Sequence, residues 1–317
     1  MNRLPDFVII GAGKSATTWL HMALRKHHQI FLPEYETPFF EDPYYSETDL
    51  RDLFLALQNA LPSQVVGIKR PNYLCTPGCA ERLAAHVPQA RLIAMLRNPV
   101  ERAVSQYFHM VRSGRIPVED PNSAFSRYLN GHFEYPFLDR AILKFGLYAA
   151  GLSDYVRSFP AQQLLVFTDL DLNRDSSDLF KQVCRFVGVA DDFVPKTISW
   201  RRNQGVYSLP LLSLIRPLNA WGHAFVRPTG VAEQRRNILA KTARISAVFA
   251  SRISGFSRMM AVDTRPVISG EIRARLLEYY LPDIIKLETM MNLNLDAWKN
   301  LPSGAGRLHH VAGPASP

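Results

Sequence analysis

Apolar residues in this chain fall into short unbroken runs, separated by longer stretches in which they recur with helical spacing. The runs at 7–10 (FVII), 65–68 (VVGI), 91–96 (RLIAML) and 163–167 (QLLVF) are flanked by turn residues. Short continuous runs of this kind predict strands of a mainly parallel sheet buried on both faces. Helical periodicity predicts helices over 17–27, 77–87, 99–113, 140–159 and 174–188, and an amphipathic helix over 270–291. Pro99 suits the first turn of a helix, where its missing N–H costs nothing. The alternation of strand and helix argues for one doubly wound α/β domain over residues 1–300. Residues 205–265 interrupt it: Pro210, Pro217 and Pro228 punctuate apolar stretches, and a basic helical segment is expected from about Glu233 to Met260. This segment reads as a helical or irregular insertion or lid. The tail 301–317 has little to bury and is expected to be disordered.

The first strand leads into the most informative stretch, Phe7 to Leu20 (FVIIGAGKSATTWL). A buried strand enters a glycine loop, and the loop opens a helix near Thr17. Unpaired N–H groups and the helix dipole favour an anion at such a point, and Lys14, Ser15, Thr17 and Thr18 add a cation and three hydroxyls. Three motifs compete for the segment. A Walker A loop is matched at Gly13-Lys14-Ser15, but its first glycine falls on Val8. The dinucleotide fingerprint is met by Gly11, Gly13 and Ala16 but leaves the lysine and paired threonines unexplained. The third, Lys14-Ser15-Ala16-Thr17-Thr18-Trp19, resembles the KSGTTW loop of sulfotransferases that use 3′-phosphoadenosine-5′-phosphosulfate (PAPS), with alanine in place of glycine.

Composition narrows the class without choosing among these. The chain has 317 residues, 47% hydrophobic and 21% charged, in the range of soluble globular proteins. No segment reaches the ~18–20 uninterrupted apolar residues of a membrane span, and residence in the cytoplasm is the expectation. Cys75, Cys79 and Cys184 cannot form a disulfide framework, and no second Cys pair or His cluster accompanies Cys75 and Cys79, so no metal is expected. The net charge of +9 is localised: residues 200–265 hold eleven Lys/Arg against Glu233 and Asp263, leaving the remainder near neutral. A local basic field implies an anionic partner. With Trp221, Phe225, Phe249 and Phe256, residues 205–262 could lie on an anionic membrane surface; no nucleic acid is expected.

A second motif discriminates. In 91–107 (RLIAMLRNPVERAVSQY) a strand ends at Leu96, Arg97 stands at its carboxyl end, and Ser105 lies two turns into the next helix. Ligands of open α/β sheets bind at the carboxyl ends of strands, and an arginine there can hold phosphate through two parallel N–H bonds. The segment resembles the second cofactor motif of the same sulfotransferases, R-[ND]-P with a serine eight residues after the arginine.

The likeness extends further. Tyr35-Glu36-Thr37-Pro38-Phe39-Phe40 is similar to the E-x-x-F-F segment of the glycan branch, typified by heparan sulfate sulfotransferases. Ile68-Lys69-Arg70-Pro71-Asn72-Tyr73 is similar to its K-[ST]-P-x-Y stretch, with Arg70 in place of the small hydroxyl residue. Gly146-Leu147-Tyr148 and the ending EYYLPDIIKLETMMNLNLDAW also match, so the resemblance covers roughly residues 5–205 and 270–298. The branch's K-G-[FRV]-Y loop has only Gln204-Gly205-Val206-Tyr207 as a counterpart, without the lysine.

The resemblance implies a P-loop-like three-layer α/β fold and transfer of a sulfuryl group from PAPS, without a metal, to an acceptor hydroxyl on a saccharide or glycolipid. Carried over by position, Glu36 is the general base, partly enclosed beside Phe39 and Phe40. Lys14 stabilises the leaving phosphate, and Lys69 either lines the same cleft as a further catalytic residue, contacting the sulfuryl group or an anionic acceptor, or faces water. Gly13 to Thr18 hold the 5′-phosphate, and Arg97 and Ser105 the 3′-phosphate. Trp19 either stacks near adenine or packs in the core, Tyr148 either reaches the 3′-phosphate or packs, and Gly205 is a further cofactor contact. The basic segment would bring the site to a lipid-linked or polyanionic glycan at the membrane periphery. The alternatives are a P-loop kinase and a non-catalytic protein that binds polyanions or membrane surfaces.

Overall fold

The computed structural model describes residues 3–134, 136–195, 207–226, 231–234 and 266–300. Gly205, the tail 301–317 and most of the basic segment lie outside the described residues. The chain divides into two compact units. One comprises Met1–Tyr107, Phe137–Gly205 and Pro282–Asn294; the other comprises Phe108–Pro136, Val206–Leu281 and Leu295–Pro317.

The first unit is built on five strands: β1 (Phe7–Gly11), β2 (Ile30–Phe31), β3 (Val65–Lys69), β4 (Arg91–Met95) and β5 (Leu164–Phe167). Their order is β2-β3-β1-β4-β5, and every pairing is parallel. All five residues of β1 are buried, as a central strand covered on both faces must be. Successive side chains point to opposite faces. Phe7 and Ile9 therefore enter one core, with Ile93, Met95 and Phe167, against helices α1 (Thr17–Leu24) and, beyond β5, Asp169–Arg174 and Ser176–Val187. Val8 and Ile10 face the other side. The chain leaves β1 to build β3 on one flank and β4 on the other, so the loops after these three strands meet at the switch point where such sheets bind ligands.

The predicted strands are all present, and the structure adds β2, too short to show as a run. It also adds α2 (Arg51–Leu57) and α5 (Pro121–Leu129). The helix expected over 140–159 is resolved into a π-helical turn (Asp139–Leu143), a 3-10 turn (Lys144–Gly146) and α7 (Tyr148–Ser158). The helix expected over 174–188 begins only at Ser176, because Asp175 ends one helix and caps the next by accepting from Ser177 and Asp178 N–H at 2.9 and 3.0 Å.

In the second unit, α5 is capped by Asp120, which accepts from Ser123 N–H at 2.9 Å. A helix Leu209–Gly222 contains Pro217 in its interior. Glu233 does not start a helix. It lies in a strand Val231–Gln234, paired antiparallel with His223–Val226 and directly opposite Ala224. Among the described residues, no helix is long and apolar enough to cross a membrane.

Candidate functional site

The loop after β1 owes its course to two close constraints. A Cβ on Gly11 would stand 2.5 Å from the Leu74 Cβ, so only glycine permits this approach. Ala12 N–H donates to the Met95 carbonyl at 2.7 Å, tying the loop to the end of β4. Beyond Gly11 the backbone turns through left-handed conformations at Lys14 (φ 68°) and Ala16 (φ 67°). Ala16 is the N-cap of α1 and supplies no side-chain acceptor to the first turn. Alternation of right- and left-handed residues forms a concavity of backbone N–H groups suited to an anion. Two further observations fit an oxyanion there. A Cβ on Gly13 would meet nothing within 4 Å, so the space over the loop is open. The Ser15 hydroxyl is 3% exposed and has no hydrogen-bonding geometry to another protein atom. Thr17 is buried, Thr18 exposed. Trp19 is half-buried and packs against the hydrophobic core.

Arg97 follows β4, the neighbour of β1. Asn98 caps the next helix, α4 (Pro99–Arg112), accepting from Val100 N–H at 3.0 Å. Helical spacing puts Arg97, Glu101 and half-buried Ser105 along one face, and Arg97 Nη2 lies 3.7 Å from Glu101 Oε2. Arg102 faces elsewhere: it is buried and donates to the Ala141 and Ile142 carbonyls.

Tyr148 is the brace between the two motifs. Its buried hydroxyl donates to the Arg97 carbonyl at 2.8 Å and neighbours the Ser15 hydroxyl. Burial pushes its pKa well above the usual phenol value, so the hydroxyl stays protonated. α7, which starts with Tyr148, is held by Asp283, which accepts from Ala149 and Ala150 N–H at 2.9 and 3.1 Å. Asp283 lies in the matching stretch EYYLPDIIKLETMMNLNLDAW, where no motif assigns this residue a role.

On the other side of β1, β3 ends at Lys69, whose Cα is in register with Ile9. Its ammonium, 5% exposed, lies 3.1 Å from Glu36 Oε1. Arg70 reaches Glu36 Oε2 at 3.1 Å and forms a fork with Glu41 at 2.9 and 2.6 Å. Burial opposes the guanidinium charge, but Glu41 and Glu36 outweigh it and hold Arg70 above its ordinary value. The segment carrying Glu36 is pinned from beneath: Thr37 N–H donates to the Lys69 carbonyl at 3.1 Å, and Tyr73 Oη donates to the Thr37 carbonyl while accepting from Phe40 N–H at 3.2 Å. Glu36, expected to be partly enclosed, owes what enclosure it has to its ion pairs with Lys69 and Arg70. Its side chain is 39% exposed, while Phe40 is buried against Tyr73.

His21 was not singled out by the sequence. It is buried on α1, donates through Nε2 to the Pro33 carbonyl at 2.8 Å, and feels the charges of Lys69 and Glu36. Burial is the largest effect and lowers its basicity. Beside Glu36, between segment 31–39 and α2, lies a cavity of about 490 Å³. Among the described residues there is no cluster of metal-ligating side chains, and burial pushes the Cys75, Cys79 and Cys184 thiols up to about 12.

Comparison with known proteins follows the same outline. A family model described as a sulfotransferase domain matches residues 4–200. The mouse bifunctional heparan sulfate N-deacetylase/N-sulfotransferase 4 is 29% identical over 202 residues, 61% of this chain and 23% of that protein. The mouse heparan sulfate glucosamine 3-O-sulfotransferase 3B1 is 26% identical over 204 residues, 64% of this chain and 51% of that protein. The chain thus matches between about a quarter and a half of the length of these curated relatives. A crystal structure of a sulfotransferase from Alicyclobacillus acidocaldarius shares the fold, with a TM-score of 0.64 at 23% identity, covering 94% of this chain and 100% of that one. The α/β sheet, its loop after β1 and the family match over most of the first unit lead to one conclusion: the chain belongs to the sulfotransferase-domain family.

Proposed function

We propose that this protein transfers a sulfuryl group from PAPS to a hydroxyl of a saccharide-type acceptor. The supporting observation is the convergence on three adjacent parallel strands of an open loop with an unsatisfied buried Ser15 hydroxyl, Arg97 braced by Tyr148, and Glu36 oriented by Lys69 and Arg70. The relatives' names, which specify heparan sulfate sulfotransferases, favour a saccharide. The donor supplies an activated sulfur: the acceptor oxygen's lone pair forms the new O–S bond, and the bonding pair of the old S–O bond leaves on the 5′-phosphate.

The chain's residues divide the remaining work. The N–H groups of the Gly13–Thr18 loop and the Ser15 hydroxyl hold the 5′-phosphate, and Lys14 neutralises the charge that grows on it. Arg97 and Ser105 hold the 3′-phosphate, for which Arg97 must exchange Glu101 for the ligand. Glu36 takes the acceptor proton. Its two oxygens are aligned by different cations, and each keeps acceptor capacity for a hydroxyl. Lys69 serves chiefly to orient Glu36.

The test is nucleotide binding followed by transfer. Adenosine 3′,5′-bisphosphate is expected to raise the Tm, and ATP with Mg²⁺ is not; the reverse result selects the kinase reading. Arg97→Ala should weaken bisphosphate binding about 10–100-fold, the loss of a charge-assisted contact, whereas Trp19→Phe should leave it unchanged. Lys14→Ala should lower the transfer rate about 10²–10³-fold. Full transfer activity in Glu36→Gln would remove the base assignment.

A further inference from the structure

The cavity beside Glu36 carries an inference about the acceptor, resting on the reading of Glu36 as the proton acceptor. At about 490 Å³ it falls in the range of sites for small molecules. Its charged lining is Glu34, Glu36 and Asp52 against Arg25. The nearby cations do not reverse that balance: Lys69 is committed to Glu36, and Arg70 to Glu41 and Glu36. Tyr35, 79% exposed, and Tyr44 give the same cavity aromatic faces with polar tips.

We propose that this cavity takes a small saccharide without anionic groups, uncharged or bearing an amine, and disfavours polyanionic glycan chains. A carboxylate or sulfate on the acceptor would face Glu34 and Asp52 with only Arg25 against them, since Glu36 is paired with Lys69 and Arg70, and the donor brings further negative charge to the same centre. Like charges a few ångströms apart at a protein surface cost about tenfold to a hundredfold in affinity. An uncharged ring escapes this penalty, and an ammonium group gains from it. The anionic partner that the basic segment 205–262 suggested therefore finds no counterpart in this pocket.

The experiment uses the full chain saturated with adenosine 3′,5′-bisphosphate, whose own thermal shift first establishes the nucleotide site. Loss of that shift would refute the donor assignment and not this one. Binding is then measured by saturation-transfer NMR for three probes: 4-nitrophenyl β-glucoside, 4-nitrophenyl β-glucosaminide and a glucuronate-bearing heparosan tetrasaccharide. Both glycosides are expected to bind, and the tetrasaccharide at least tenfold more weakly. The variant Glu34→Gln/Asp52→Asn, shown to be folded by an intact bisphosphate shift, should narrow that gap about tenfold or more. Tetrasaccharide binding equal to or tighter than that of the glycosides, failure of either glycoside to bind, or an unchanged gap in the variant would each overturn the proposal.

Discussion

Replacing Arg70 by methionine tests how the Glu36 segment is held. Arg70 is 19% exposed and forms a fork with Glu41, which is 10% exposed. Its separate contact to Glu36 reaches a carboxylate that is 39% exposed. The two contacts should differ in energy. The exposed one resembles a surface ion pair, worth at most about 1 kcal/mol. Removing the arginine also leaves Glu41 largely buried without its cation, a change that typically costs about 3–5 kcal/mol. Residual solvent access at Glu41 points to the lower end, so Arg70→Met should destabilise by about 3 kcal/mol. Replacing both partners removes the orphaned charge, and apolar substitutes for buried pairs are often neutral or stabilising. Arg70→Met/Glu41→Leu should therefore lie within about 1 kcal/mol of the parent chain. Urea unfolding at pH 7, followed by circular dichroism, gives the four free energies of the cycle. A single-variant cost below about 1 kcal/mol, or a double variant as unstable as the sum of the singles, would refute the assignment of Glu41 as a dependent buried charge.

Other outcomes follow from the same geometry. Burial lowers the basicity of His21 and His27. The unfolded chain therefore binds more protons than the folded one as the pH falls through about 6.5. Their stabilising contribution is complete above that pH and is lost on acidification through the lower folded-state values; Tm should fall between pH 7 and 5, less steeply in His21→Gln/His27→Gln, as read by calorimetry. Asp283→Ala leaves two α7 N–H groups without their acceptor and should cost about 1–3 kcal/mol while weakening bisphosphate binding through Tyr148 and Arg97; Asp283→Asn, which keeps an acceptor oxygen, should recover part of both. With the three thiols pushed up to about 12, native protein at pH 8 should show no fast-reacting cysteine with a disulfide reagent, and three on unfolding.

Much of the fold was legible because its signals are local. The runs at 7–10, 65–68 and 91–96 became β1, β3 and β4, since a central parallel strand needs continuous apolar residues whatever surrounds it. The loop glycines and the Arg97-Asn98-Pro99 turn were readable for the same reason. Elements that depend on partners were not. β2 is two residues long and exists by pairing with β3, and Glu233 lies in a strand because Ala224 faces it. Spacing along the chain has no means of registering that antiparallel pairing.

By itself, the sequence determined the parallel sheet, the phosphate-type loop and the family, because chain-local spacing encodes strand, turn and helix start. Tertiary structure decided what those residues touch. It packed Trp19 against the core, gave Tyr148 to the Arg97 carbonyl, and set Glu36 between Lys69 and Arg70. It also recruited His21, which carries no motif, and gave Asp283 of the matching C-terminal stretch to the start of α7. Burial and charge pairing are properties of neighbours in space, and residues dozens of positions apart become neighbours only when the sheet brings their strand ends together.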